Sequence, residues 1–204
     1  MTIPARTTSS TPSFSLCVYC GSRAGSRPEF AALAREVGAW IGQHGGRLVY
    51  GGGHNGLMGM LADAALAAGA QVIGVIPEAL VEKEWAHTGC TELHVVKNMH
   101  DRKRIMAENA DAFLALPGGI GTLEEFFEVW TWRQLGYHDK PVGLLNLNGF
   151  YDSLLVFLNS AVANGFMNGT QMGLIRSDTD AQRLMKELVQ AAGTATTTAG
   201  LDQI

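Results

Sequence analysis

The chain has 204 residues, 47% of them apolar, and a formal net charge of −4 from 19 acidic and 15 basic residues. That length and apolar content fit one domain with a full core. The charges form no long like-signed block, which excludes the electrostatic footprint of a protein for polymeric nucleic acid. Cys17, Cys20 and Cys90 are too few and too unevenly placed for the disulfide framework of a secreted domain, so a reducing, cytoplasmic setting is expected.

Residues 1–14 are rich in Thr, Ser and Pro without an apolar h-region, which predicts a loose tail rather than a signal peptide or a membrane span. Apolar runs then alternate with helical patterns, the signature of βαβ units around a parallel sheet. The first run, Phe14 to Cys20, ends in a Gly-Ser turn. Ser26-Arg27-Pro28-Glu29 offers a Ser cap with Glu three later, and Phe30, Leu33, Val37, Trp40 and Ile41 share one helical face. A second strand, 47–50, runs into Gly51-Gly52-Gly53 and a helix over 56–68, and a third strand covers 71–76. An irregular stretch over 77–99 leads to a short helix over 101–109.

Ala112 to Leu116 is an unbroken apolar run, as a strand covered on both faces requires. Pro117-Gly118-Gly119-Ile120-Gly121-Thr122 turns it into a helix reaching Leu135. A fifth strand covers 141–145, and helices over 151–164 and 179–192 close a domain of residues 15–192. Residues 193–204 are expected to trail as a second loose tail. The predicted fold is a single-domain α/β structure, a doubly wound, Rossmann-like parallel sheet whose ligands bind beyond the carboxyl ends of the strands.

Two glycine-rich segments sit at such ends, Gly51 to Gly56 and Pro117 to Thr122, and each opens a helix. Glycine lets backbone N–H groups approach an anion, and the helix N-terminus adds partial positive charge. No Gly-Lys-Ser/Thr follows either segment, and Cys20 to Gly25 lacks GxGxxG, so a monophosphate fits better than a triphosphate or a dinucleotide. Thr122-Leu-Glu-Glu125 also matches a capping box, in which Glu125 would only bond the cap N–H. The competing reading makes Glu125 a carboxylate acting on a sugar carbon or water beside the phosphate loop.

His100-Asp101-Arg102-Lys103-Arg104 gathers cations at a helix start, where they oppose the macrodipole unless an anion is near. Arg102 shares a face with Ile105 and Met106 and should point inward, whereas Arg104 can pair with Glu108 outside. Cys17 and Cys20, three apart in a strand, point to opposite faces and cannot act as a CxxC pair. His87, His94 and His100 have no metal-ligand spacing, so no metal is expected.

Pro117 to Glu125 matches the PGGxGTxxE signature and resembles the LONELY GUY (LOG) family of cytokinin riboside 5′-monophosphate phosphoribohydrolases. Further blocks resemble that family in the same order: Cys17 to Ser22, Val49 to Gly53, Gly56 to Gly59, Val72 to Pro77, Met99-His100 with Arg102-Lys103, and Lys140 to Asn146. The resemblance covers about Ser15 to Phe166. It implies that Arg102 and Glu125 are the catalytic pair. With the glycine loops, it gives a binding set of Ser22, Gly52, Gly53, Glu84, Lys103, Gly118, Gly119, Ile120, Gly121, Thr122, Leu123, Glu124 and Thr131.

The reaction implied is hydrolysis of an N6-modified adenosine 5′-monophosphate to free base and ribose 5-phosphate, with no cofactor. A broader nucleoside monophosphate hydrolase, or a nucleotide sensor that does not cut, are the rival readings. The group's older label of lysine decarboxylase is not supported, since none of the five lysines, Lys83, Lys97, Lys103, Lys140 and Lys186, sits in a cofactor-holding pattern. Finally, Phe126, Phe127, Val129, Trp130, Trp132 and Leu135 cover more than one helical face. A homodimer or higher symmetric assembly through this helix is therefore expected. The alternative is that the helices from Tyr151 onward cover it.

Overall fold

The computed structural model describes residues 11–82, 85–195 and 200–201. Seven parallel strands form one sheet in the order β4-β3-β2-β1-β5-β6-β7. They are β1 (Ser15–Tyr19), β2 (Arg47–Tyr50), β3 (Gln71–Pro77), β4 (Glu92–Val96), β5 (Ala112–Ala115), β6 (Val142–Leu145) and β7 (Ile175–Asp178). Eight α-helices connect and flank them: α1 (Pro28–Gln43), α2 (Gly56–Ala67), α3 (Glu78–Val81), α4 (Met99–Glu108), α5 (Ile120–Leu135), α6 (Asp152–Ala163), α7 (Gly169–Met172) and α8 (Ala181–Ala192). This is the expected doubly wound α/β sheet.

The alternation of side chains along each strand divides the core in two. Leu16, Val18, Leu48, Tyr50 and Leu114 face α1, α2 and α8, meeting Leu33, Leu61 and Leu184. Cys17, Tyr19, Val49, Phe113 and Ala115 face the other way, toward Met106 of α4, Phe126 and Trp130 of α5 and Leu158 of α6. Cys17 and Cys20 therefore lie in separate cores as their spacing requires, both buried with free thiols.

The central strands match expectation to within a residue or two. The edge strands β4 and β7 were not foreseen, nor were α3 and α7. Glu-Leu-His-Val-Val and Ile-Arg-Ser-Asp are partly exposed, so neither carries the apolar run of a doubly covered strand. The N-cap of α1 is Arg27, without a side-chain cap bond, rather than Ser26; Pro28 at the first helical position sets the start. Helix α4 begins two residues early because the Asn98 side chain accepts the Asp101 N–H at 2.8 Å. Leu201, inside the stretch expected to trail loosely, is buried against the second core.

The chain leaves β1 toward β2 on one side and reaches β5 on the other, so the loops beyond β1 and β5 diverge. That is the topological switch point of a doubly wound sheet, where a crevice opens.

A buried histidine links this packing to pH. His138 bonds the Val129 carbonyl through Nε2 at 2.9 Å and accepts the Lys140 N–H at Nδ1, and burial pushes its pKa down to about 4. Unfolded histidine titrates near 6.5, so below that pH the unfolded chain binds a proton that the folded chain refuses. The stability His138 contributes is complete above pH ~6.5 and is lost toward pH ~4, by roughly 3 kcal/mol. Urea unfolding of wild type and His138→Gln at pH 7 and pH 4.5 measures this: the variant should lose less stability between the two.

Candidate active site

A cavity of about 560 Å³ occupies the switch point, lined by the turn after β1 (Cys20 to Gly25), the loop from Pro117 to Thr122, Arg102, Glu125 and the apolar side chains of Phe30, Leu57, Met58 and Phe150. Its two glycine-bearing walls are tied by a hydrogen bond from Gly21 N–H to the Pro117 carbonyl, 3.2 Å, while Leu57 N–H bonds the Gly21 carbonyl.

The Pro117 to Thr122 wall presents open backbone donors, the kind of surface that suits an anion. Helix α5 starts at Ile120 with Gly119 as N-cap, and its first intrahelical bond runs from Leu123 N–H to the Gly119 carbonyl. The N–H groups of Ile120, Gly121 and Thr122 thus precede the intrahelical ladder, at the positive end of a sixteen-residue helix. The glycines divide the labour. A Cβ on Gly118 would stand 2.1 Å from Thr122 Oγ1, so Gly118 serves packing. A Cβ on Gly119 or Gly121 would meet nothing among the described residues within 4 Å, leaving backbone open to a ligand.

This helix start also overturns the capping-box reading. Thr122 is the third helical residue and buried, and Glu125 lies a further turn along, where no cap N–H is available to it. The Glu125 carboxylate is instead 11% exposed and stands 3.8 Å from Arg102 Nη2. Arg102 is buried as well. Its Nε donates to the Val75 carbonyl and its Nη2 to the Gly51 carbonyl, each at 3.1 Å. Two backbone carbonyls, from β3 and from the residue after β2, and one carboxylate thus supply the electronegative partners that a cation near a helix N-terminus needs. Arg104 behaves as its spacing predicted, pairing with Glu108 at 2.6 Å on the outer face.

Of the expected set, the cavity gathers Ser22, Arg102, Gly118, Gly119, Ile120, Gly121, Thr122 and Glu125. It does not gather Gly52, Gly53, Lys103, Leu123, Glu124 or Thr131. Gly52, at φ +74°, packs against the backbone of Val75, and Gly53 bridges to Ala86. The first glycine loop therefore seats Arg102 through Gly51 rather than lining the cavity. Lys103 Nζ is held by Glu124 at 2.5 Å and by Glu128 at 2.8 Å. Leu123 packs on the second core, and Thr131 is exposed on α5. Glu84 lies outside the described residues.

Sequence reasoning missed Arg23, Phe30 and Phe150 as lining residues. Phe30 reads as one more core position of an amphipathic helix, and Phe150 has no local signal. The glycines of the 20–25 turn were the available clue.

Comparison with known proteins gives the family of the chain. A family model described as "Possible lysine decarboxylase" matches residues 58–188. The Arabidopsis thaliana cytokinin riboside 5′-monophosphate phosphoribohydrolase LOG1 is 49% identical over 173 residues, 85% of this chain and 81% of that protein. A cytokinin riboside 5′-monophosphate phosphoribohydrolase of Rhodococcoides fascians is 53% identical over 154 residues, 75% and 78% of the two. The chain belongs to the LOG family. Among solved structures, the Moco carrier protein of Chlamydomonas reinhardtii superposes with a TM-score of 0.67 at 22% identity, covering 91% of this chain and 99% of that one, a likeness of fold alone.

The family model's decarboxylase description finds no counterpart among the described residues of the cavity, none of which is a lysine. Lys103 is engaged by two carboxylates, and Lys140 is buried with Nζ on the Ala107 carbonyl at 2.8 Å.

The seat of Arg102 is open to a direct test. A Cβ on Gly51 would stand 2.0 Å from Arg102 Nη2, the movable end of a side chain, so Gly51→Ala should fold and displace the guanidinium. A misplacement on the order of 1 Å at a reacting centre costs about 10²-fold in rate. Thermal melting near that of the wild type, together with such a loss of kcat/KM, is the expected result.

Proposed function

We propose that this chain is a nucleoside 5′-monophosphate phosphoribohydrolase that cleaves the N-glycosidic bond of N6-modified adenosine 5′-monophosphates, giving free base and ribose 5-phosphate. The observation that carries the proposal is the buried Arg102 and Glu125 pair beside the open N-terminus of α5 in one cavity. The names of the similar enzymes support the same substrate class.

In this reading the 5′-phosphate sits on the N–H groups of Ile120, Gly121 and Thr122, which presents the ribose to Glu125. The C1′–N9 bond breaks with its electrons passing to the base, and the sugar takes on oxocarbenium character. Glu125 stabilises that positive charge and accepts a proton from the water whose oxygen bonds to C1′, and that proton passes on through solvent to the departing base, so that free base and ribose 5-phosphate result and the carboxylate is restored. Arg102, fixed by two carbonyls, gives charge-assisted hydrogen bonds to the ribose or phosphate, each contributing about 1.5 to 3 kcal/mol. The apolar wall of Phe30, Leu57, Met58 and Phe150 offers a surface for the base and its N6 substituent.

Chromatography for free base after incubation with isopentenyl-AMP, AMP, CMP and their nucleosides tests the reading. The modified monophosphate should be cleaved best, and each nucleoside far more slowly than its monophosphate, because the loop grips phosphate. Glu125→Gln should lower turnover roughly 10² to 10⁴-fold with the fold intact. Binding without release of base from any nucleotide would leave a sensor in place of an enzyme.

The same reading includes a cytoplasmic homodimer assembled through α5. The expected aromatic patch is mostly covered within the chain: Phe126, Val129, Trp130 and Trp132 are buried, with Trp130 Nε1 bonded to the Gln171 carbonyl and Leu158 packed in the same core. Of the exposed residues of α5, which also include Gly121 and Gln134, Ile120, Glu124, Thr131 and Leu135 form a stripe at helical spacing, in which Ile120 is 89% and Leu135 62% exposed. Pairing along that stripe would bring Thr131 of one subunit toward the cavity of its neighbour, the one route by which it joins a site. No helix among the described residues is long and apolar enough to cross a membrane. Sedimentation velocity at micromolar concentration should give a species of about twice 21.8 kDa that Leu135→Asp shifts to the monomer. A fully active monomer of the wild type would remove the dimer as a requirement.

A further inference from the structure

Outside the cavity, three side chains far apart in sequence converge: His54 in the loop between β2 and α2, Asp63 on α2, and His87 in the loop between α3 and β4. His87 Nε2 lies 3.0 Å from Asp63 Oδ1, and His54 Nε2 lies 3.6 Å from Asp63 Oδ2. The ligand atoms of all three fall within 4.8 Å of one another, and the two imidazole rings meet edge to face at 4.6 Å. None of the three lines the cavity.

We propose that His54, Asp63 and His87 bind a first-row divalent cation, zinc by preference, with a fourth position open to water. The geometry favours this. Metal–ligand bonds of about 2.0 to 2.1 Å in a tetrahedron place neighbouring ligand atoms about 3.3 Å apart; one Asp63 oxygen stands 3.0 Å from His87 Nε2 and the other 3.6 Å from His54 Nε2, so a small turn of the half-exposed carboxylate and of the His54 ring brings one oxygen and both nitrogens to that spacing. Two imidazole nitrogens and a carboxylate form a donor set suited to zinc and its neighbours rather than to magnesium or calcium. The backbone beneath is already fixed. His54 N–H donates to the Trp85 carbonyl at 2.8 Å, His87 N–H donates to the Gly52 carbonyl at 2.9 Å, and Gly53 bridges to Ala86. His87 is buried, whereas the side chains of His54 and Asp63 are 50% and 60% exposed, so an ion enters from solvent and meets a preset inner ligand.

Without the ion, the Gly89 N–H points at His87 Nδ1 from 3.1 Å, which assigns the ring proton to Nε2 and its hydrogen bond to Asp63. Binding places the ion where that proton sits. The ring proton moves to Nδ1 and the Gly89 amide turns away, a rearrangement that glycine permits. The bound ion clips residues 85–90 to the loop that begins at Gly51, whose carbonyl holds Arg102. Its role is therefore to fix a loop, and it stands independently of the substrate assigned above.

The test uses the full chain without an affinity tag, stripped with a chelator. Cobalt(II) serves as a spectroscopic probe of tetrahedral coordination, and zinc is titrated in competition with a chromophoric chelator. One equivalent of zinc should bind, cobalt should give tetrahedral visible bands, and zinc should raise the melting temperature. His54→Ala and Asp63→Asn, both at half-exposed positions, should each weaken zinc binding at least ~10-fold and abolish the melting shift. His94→Ala, which lies beside Glu92 instead, should leave both unchanged. Failure of the wild type to bind one equivalent, or unchanged binding in the His54→Ala/Asp63→Asn double variant, overturns the proposal. The trio would then be an ordinary hydrogen-bonded cluster.

Discussion

The whole site depends on keeping one guanidinium charged and oriented inside a protein. Arg102 is buried at the sheet's carboxyl edge, and a buried cation is tolerated only when its donors are met. The Gly51 and Val75 carbonyls meet them at the ends of β2 and β3, and Glu125 comes from the far side of the switch point on α5. Two neighbouring strands and helix α5 therefore have to hold their relative positions for one charge to be satisfied. That requirement explains why Gly51 has no side chain, since any Cβ there would occupy the place of Nη2.

The two glycine loops look alike in sequence and do different physical work. In the first, Gly52 allows close backbone packing at positive φ, and the loop presents a carbonyl. In the second, the glycines expose N–H groups at the start of a long helix. One loop offers partial negative charge to a cation, and the other offers partial positive charge to an anion. The cavity combines the charged pair and helix start that these loops position with an apolar wall of Phe30, Leu57, Met58 and Phe150.

Much of this was legible from residues alone. The βαβ rhythm gave the central strands because β1, β2, β3, β5 and β6 are apolar on both faces, and the face shared by Arg102, Ile105 and Met106 gave the inward arginine. What escaped was set by tertiary position. Strands β4 and β7 lie at the edges, where polar residues are allowed, and Phe150 reaches the cavity only because the 3₁₀ turn at Leu147–Gly149 brings it to Phe30, 5.5 Å between ring centroids. Glu125 was ambiguous for a different reason. Its spacing from Thr122 is that of a capping box, and only the true helix start at Ile120 removes that meaning. Glu124 belongs to the PGGxGTxxE signature and Lys103 to the earlier Met99 to Lys103 block, yet the two pair with each other outside the cavity.

The crevice exists because β1 pairs with β5, and that pairing joins Leu16 to Ala112 across roughly half the chain. Contacts so distant in sequence carry a high loop-closure cost and tend to form late in folding. A chain that has assembled only β1 to β4 already contains the carbonyl seat for Arg102, but has neither the open start of α5 nor Glu125. The cavity is therefore complete only once β1 and β5 have paired, and its two walls are contributed by opposite halves of the chain.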